Sequence, residues 1–207
     1  MRRPDFIARQ SRCPSGLLGR LIGRVMATET ARENEAAIAL LDLQPTDRVL
    51  EVGFGHGRTL ARVASTLTRG VAVGIDHSEA MVRAATRRCG RLLRDGRVVL
   101  QCGDSARLPF PDGHFDKAYA VHTIYFWPQP SDHLKEIHRV LRPGGRIVLG
   151  FRSKEHGTTE DFPPNVYVFY GIDDVRRLLA DAGFERIETQ APSHLPGGLV
   201  LAAAQRA

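Results

Sequence analysis

Between residues 48 and 151 the hydrophobic positions gather into five short, nearly continuous runs, RVLEV, GVAVGID, RVVLQ, FDKAYAV and GRIVLGF, separated by stretches with helical spacing. Strands apolar on both sides are buried on both faces, so the alternation predicts a mostly parallel sheet covered by helices. The intervening helices are predicted near 58–67, 78–90 and 131–141. Ser78 is the N-cap candidate of the second, and the third ends before Pro143. Upstream, GLLGRLIGRVM and ETARENEAAIALLDL carry the period of two further helices, the first weakened by its glycines. Downstream, IDDVRRLLADAG reads as a helix closed by Gly183, and ERIETQA and LVLAAAQ flank a turn-forming LPGG. The last two strands are therefore expected to run antiparallel.

Composition narrows the class. With 207 residues, 43% hydrophobic and 25% charged, the chain has the make-up of a globular protein with one core. We expect a single compact unit, with residues 1–45 a basic helical cap that controls substrate access and 46–207 the core. No apolar run is long enough to span a bilayer and the N-terminus lacks a signal-like apolar stretch, which points to the cytoplasm. Cys13, Cys89 and Cys102 form no CxxC pair, so neither a disulfide framework nor a metal site is expected. Six arginines against Asp5 alone over residues 1–24 carry most of the net charge of +6. A second arginine group includes Arg83, Arg87, Arg91 and Arg94, which can share one helix face; such a face is read as solvated surface in preference to a nucleic-acid or lipid footprint.

The chemistry concentrates in VLEVGFGHGRTL. Gly53, Gly55 and Gly57 permit a tight strand-to-helix turn against which a ligand can lie on main-chain N–H groups. A dinucleotide fingerprint places its third glycine at position 58; here that residue is Arg58, and the spacing is GxGxG preceded by Glu51. Asp76 ends the second strand, where a carboxylate can accept both hydroxyls of a ribose, with His77 beside it. Asp104 and Ser105 follow the third strand, in reach of an adenine amine. For both aspartates, capping and turn formation are the structural alternatives.

In VLEVGFGHG, GIDHSEAMV, GDSARLPFPDGHFDKAYAVHTIYFW and RVLRPGGRIVLGF, in this order and spacing, the chain resembles the class I S-adenosylmethionine-dependent methyltransferases over residues 46–190. The resemblance implies a Rossmann-like, doubly wound α/β fold with a mostly parallel seven-stranded sheet, an antiparallel final strand and helices on both faces. It further implies S-adenosylmethionine as cofactor and S-adenosylhomocysteine as product. Gly53, Gly55 and Gly57 would border its methionine and ribose portions, Asp76 would hold the ribose hydroxyls, Asp104 and Ser105 would frame the adenine, and Glu51 would lie beneath the glycine turn.

Ligands of open α/β sheets bind outside the carboxyl ends of the strands, which puts the acceptor beside AVHTIYFWPQP. His122 and Tyr125 are the candidate catalytic residues, His122 as base and also as a cofactor contact; Tyr125 and Trp127 are candidates for a substrate wall, with core packing as the alternative. His56 can face the cofactor, whereas His133 and His138 point in different directions and do not make a metal site. Arg20, Arg24 and the loop 152–171 are candidates for contact with an acidic group and for cover over the site. A small-molecule acceptor, methylated on O, N or C, fits a chain this short. Nucleic acid is disfavoured because AVHTIYFW stands where an NPPY-type motif would; a homodimer is left open. The competing readings are a catalytically silent cofactor-binding protein and an NAD(P)-dependent reductase, the latter disfavoured by the spacing and by the lack of a TyrxxxLys pair.

Overall fold

The computed structural model describes residues 4–16, 30–155, 159–193, 195 and 198–207. Its seven strands are β1 (Arg48–Val52), β2 (Val71–Asp76), β3 (Val98–Cys102), β4 (Phe115–Val121), β5 (Leu141–Arg152), β6 (Phe184–Gln190) and β7 (Leu199–Arg206). They form one sheet in the order β3-β2-β1-β4-β5-β7-β6. The pairs among β1 to β5 are parallel, whereas β7 runs antiparallel to both β5 and β6. This is the mostly parallel sheet that the apolar runs predict and the Rossmann-like arrangement with an antiparallel final strand that the resemblance implies, with β7 inserted between β5 and β6.

Seven helices are described: α1 (Asp5–Arg12), α2 (Ala31–Leu41), α3 (Arg58–Thr66), α4 (Glu79–Arg88), α5 (Gly90–Arg94), α6 (Pro130–Val140) and α7 (Ile172–Asp181). Successive strand residues point to opposite faces, so each strand feeds two cores. Leu50 and Val52, with Ile147 and Leu149, meet Leu134 and Ile137 of α6 and Val175 and Leu179 of α7. Val49 and Val148 meet Ala37 and Leu41 of α2 and Leu60 and Val63 of α3. Fully burying one such side chain contributes about 1.5–3 kcal/mol, so both faces stabilise the sheet.

Two local readings change, and a third lies outside the described residues. The helix Asp5–Arg12 has no counterpart in the sequence reading, because only Phe6, Ile7 and Ala8 interrupt its polar run; Ala8 is nonetheless fully buried. The arginine face across 83–94 is broken at Cys89, between α4 and α5. Its members are engaged separately, Arg83 with Glu79 at 3.0 Å and Arg91 with Asp95 at 3.7 Å. GLLGRLIGRVM, with Arg20 and Arg24, lies outside the described residues. The N-cap holds: Ser78 Oγ accepts from Met81 N–H at 3.3 Å.

Candidate active site

A cleft of about 470 Å³ opens at the C-terminal ends of β1, β2 and β4. Its floor is the glycine turn. Gly53 and Gly57 both have φ +77°, in the left-handed region that favours glycine. A Cβ on Gly53 would stand 2.4 Å from Thr123 Cγ2, so only glycine lets the loop after β4 close over the turn. Gly55, with φ +56°, has open space where its Cβ would be. The turn is tied to the next strand by Asp76, whose Oδ2 accepts the Gly55 N–H and whose Oδ1 accepts the Ser78 N–H, both at 2.8 Å.

Burial pushes the Asp76 carboxyl up to about 6, against the stabilising N–H groups of Ser78 and Gly55. Glu51, buried beneath the turn, is pushed up further, to about 8, chiefly by burial. The Tyr119 hydroxyl opposes part of that rise, although no hydrogen bond of ordinary geometry joins the two. Glu51 Oε2 and Thr123 Oγ1 are buried in the wall with no hydrogen-bond partner among the described residues. Two buried oxygens left without partners in the cleft wall call for a polar ligand that can donate hydrogen bonds to them.

At the far end, Asp104 Oδ1 accepts the Ala106 N–H at 2.9 Å, the turn-forming alternative, while the side chain stays 61% exposed and free for further contacts. Ser105 Oγ is bonded to His133 Nδ1 at 2.8 Å, and His133 stacks on Trp127 with ring centroids 4.7 Å apart. Burial pushes the His133 imidazole down, against Asp104 and Asp132. His138 instead packs edge-on against Phe184, so these two histidines do point apart.

Of the residues singled out in sequence, Glu51, Gly53, Gly55, Asp76, His77 and Asp104 line the cleft. Ser105, His122, Trp127 and His56 do so too. Gly57 lies buried behind them, where a Cβ would meet Ala85 Cβ at 2.8 Å. Tyr125 does not reach the cleft: it is buried in the core against Phe169, its hydroxyl receives the Arg152 N–H, and burial holds it far above the usual phenol range. Phe126 takes the lining position beside it. Both ring nitrogens of His122 are engaged, Nδ1 with the Tyr125 hydroxyl at 3.0 Å and Nε2 with Glu33 at 2.5 Å.

The sequence reading missed the part played by α2. Thr30 and Asn34 line the cleft, and Glu33 between them is buried. The signal was present in the spacing: Glu33 continues the buried stripe of Ala37 and Leu41, where a solvated acid is not expected. Ser11, Arg12, Cys13 and Pro14 also line the cleft, and the Pro14 carbonyl accepts from Ser78 Oγ at 2.5 Å. In the 152–171 loop, Phe162, Tyr167 and Phe169 pack as a cluster behind Phe126 and Tyr125.

Residues 50–149 match the family model described as "Methyltransferase domain". The chain is 31% identical over 189 residues to the uncharacterized methyltransferase YdaC of Bacillus subtilis, across 90% of this chain and 98% of that one. It is 36% identical over 121 residues to 27-O-demethylrifamycin SV methyltransferase of Amycolatopsis mediterranei, covering 58% of this chain and 44% of the relative, less than half its length. Its fold superimposes on Haemonchus contortus phosphoethanolamine N-methyltransferase 2, solved with S-adenosyl-L-methionine, with TM-score 0.73 at 18% identity over 84% of this chain and 52% of that one.

Proposed function

The chain belongs to the class I S-adenosylmethionine-dependent methyltransferases, and from that premise we propose that it methylates an O, N or C nucleophile of a small-molecule acceptor. The observation that carries this is the cleft itself, lined by an open glycine turn and by Glu51 and Thr123, whose Oε2 and Oγ1 lack hydrogen-bond partners among the described residues. These residues fit the cofactor: Glu51 answers an α-ammonium group, Asp76 keeps lone pairs for a ribose diol, and Asp104 with Ser105 faces the adenine end.

When bound, S-adenosylmethionine supplies an electrophilic methyl carbon on a sulfonium centre. The remaining work is the protein's. Gly53 and Gly55 let the main chain approach, Trp127 and Phe126 wall off water, and His122 closes the cleft where β4 ends. With both His122 nitrogens engaged inside the protein, alignment and exclusion of water carry the rate; alignment alone can supply about 7–11 kcal/mol. Residues 1–45 act as the access segment, a reading supported by Ser11 to Pro14, Thr30 and Asn34, which lie on the cleft.

Calorimetric titration with S-adenosylmethionine and S-adenosylhomocysteine, with NAD as control, tests the cofactor, and methyl transfer to a panel of small nucleophiles tests the acceptor class. Binding of NAD in preference to the adenosyl ligands sinks the reading. Tight cofactor binding with no turnover on any acceptor favours a silent binding protein.

A further inference from the structure

His122 is one of three non-glycine residues with positive φ among the described residues, at +58°. A left-handed β-carbon costs about 1–2 kcal/mol, and such strain persists only where the surroundings enforce it. Here the enforcement is visible. The His122 N–H is held by the Gly150 carbonyl at 2.8 Å, while its ring is gripped from two sides. The very next residue, Thr123, sets its methyl against the spot over Gly53 that admits no Cβ. The twist at His122 therefore shapes the roof of the glycine turn.

The hydrogen positions in the grip follow from donor counting. The Tyr125 oxygen accepts the Arg152 N–H, so its own hydrogen goes to His122 Nδ1. Nε2 must then carry the ring proton and donate it to Glu33 Oε2 at 2.5 Å. Any other arrangement leaves a buried donor or acceptor unmatched, at about 1–3 kcal/mol. Glu33 is 89 residues away in sequence, is buried, and comes from α2.

We propose that Glu33 is a positioning residue: it holds the His122 ring as the Nε2–H tautomer and thereby fixes the turn that places Thr123 over the cofactor's glycine loop. The inference rests on the proposed cofactor cleft but concerns a residue that does not line it. Its action passes through His122, as an outer carboxylate orients an inner imidazole. It also makes α2 part of the site, because the grip exists only with α2 docked.

The test uses the full chain and S-adenosylhomocysteine titrated calorimetrically, which needs no acceptor. If the unaltered protein does not bind, the proposed function fails, and the tautomer measurement still judges this inference. Given binding, Glu33→Ala is expected to weaken it about tenfold, Glu33→Gln to restore it to within about threefold, and Glu33→Ala with His122→Gln to be no worse than His122→Gln alone. Undiminished affinity in Glu33→Ala, or losses that multiply in the double variant, overturns the proposal. Should Glu33→Ala fail to fold, the same criteria pass to Glu33→Met, which keeps bulk and removes the acceptor. Independently, a two-bond proton–nitrogen correlation spectrum of the unaltered, ligand-free protein, with His122 assigned by its loss in His122→Gln, reads the tautomer. An Nε2–H ring is expected, and an Nδ1–H ring overturns it.

Discussion

Asp76 Oδ2 takes the N–H of Gly55 at 2.8 Å, joining the end of β2 to the middle of the glycine turn 21 residues earlier. The carboxylate proposed to hold the ribose thus also holds the floor on which the ribose would lie.

Asp76→Ala is therefore expected to do more than delete one ligand contact. It frees two backbone N–H groups, and adenosyl-ligand affinity should fall about a hundredfold by calorimetry, as for loss of charge-assisted hydrogen bonds totalling about 3 kcal/mol. Asp76→Asn, which keeps one acceptor, should fall less. Equal losses in the two variants would count against the tethering role.

Glu51 gives a pH signature. Its carboxyl is raised from 4.5 to about 8 in the folded protein, so between these values the native state holds a proton that the unfolded chain has released. The Glu51 contribution to the stability of the ligand-free protein should then decline as pH rises through this window and level off above 8. Asp76 adds to the decline only below about 6. Between pH 6.5 and 8 the decline should be shallower in Glu51→Gln than in the unaltered protein, read as melting temperature against pH.

Binding a cationic cofactor favours the charged Glu51. Affinity for S-adenosylmethionine should rise from pH 6.5 to 8, with proton release seen as calorimetric heats that depend on the buffer's ionisation enthalpy. Glu51→Gln should bind more weakly and without that dependence.

Gly53 and Gly55 should separate stability from binding. Gly53→Ala forces a Cβ to within 2.4 Å of Thr123 Cγ2 at φ +77° and should destabilise by about 2–4 kcal/mol in thermal or urea unfolding. Adding Thr123→Ser removes the clashing methyl and should recover part of the loss. Gly55→Ala meets nothing within 4 Å, so it should cost only about 1–2 kcal/mol of backbone strain while still impairing ligand binding.

The sheet was legible because its strands are nearly unbroken apolar runs, as in VLEV of β1 and VAVGI of β2, whose burial leaves little choice of layer. The glycine-turn side of the cleft was legible because Gly53, Gly55 and Gly57 stand between a strand and a helix and Asp76 and Asp104 follow at the ends of the next two strands. What escaped has a common cause. Glu33, Tyr125 and the loop aromatics take their roles from contacts across long stretches of sequence, 89 residues in the pair Glu33–His122. Locally, the spacing of Glu33 can mark it as buried but not as the partner of His122, and YFW reads as a row of three aromatics. Only the folded chain decides that Tyr125 turns inward and Phe126 outward. The helix Asp5–Arg12 was hidden because one alanine and one serine, and no large apolar side chain, supply its buried positions.

The order of the strands also bears on how the protein is made. β7 follows β6 in sequence yet lies between β5 and β6, paired to both. During translation β5 can pair with β4 on one side, but its other edge and the whole of β6 wait for β7, which follows both in sequence. Until then the nascent chain presents the free, apolar edge of β5 and the unpaired backbone of β6 to its surroundings. Chaperone engagement is accordingly expected to persist until the Leu199–Arg206 segment clears the ribosome, and ribosome-bound chains stalled before it should bind a holdase that chains stalled well beyond it release.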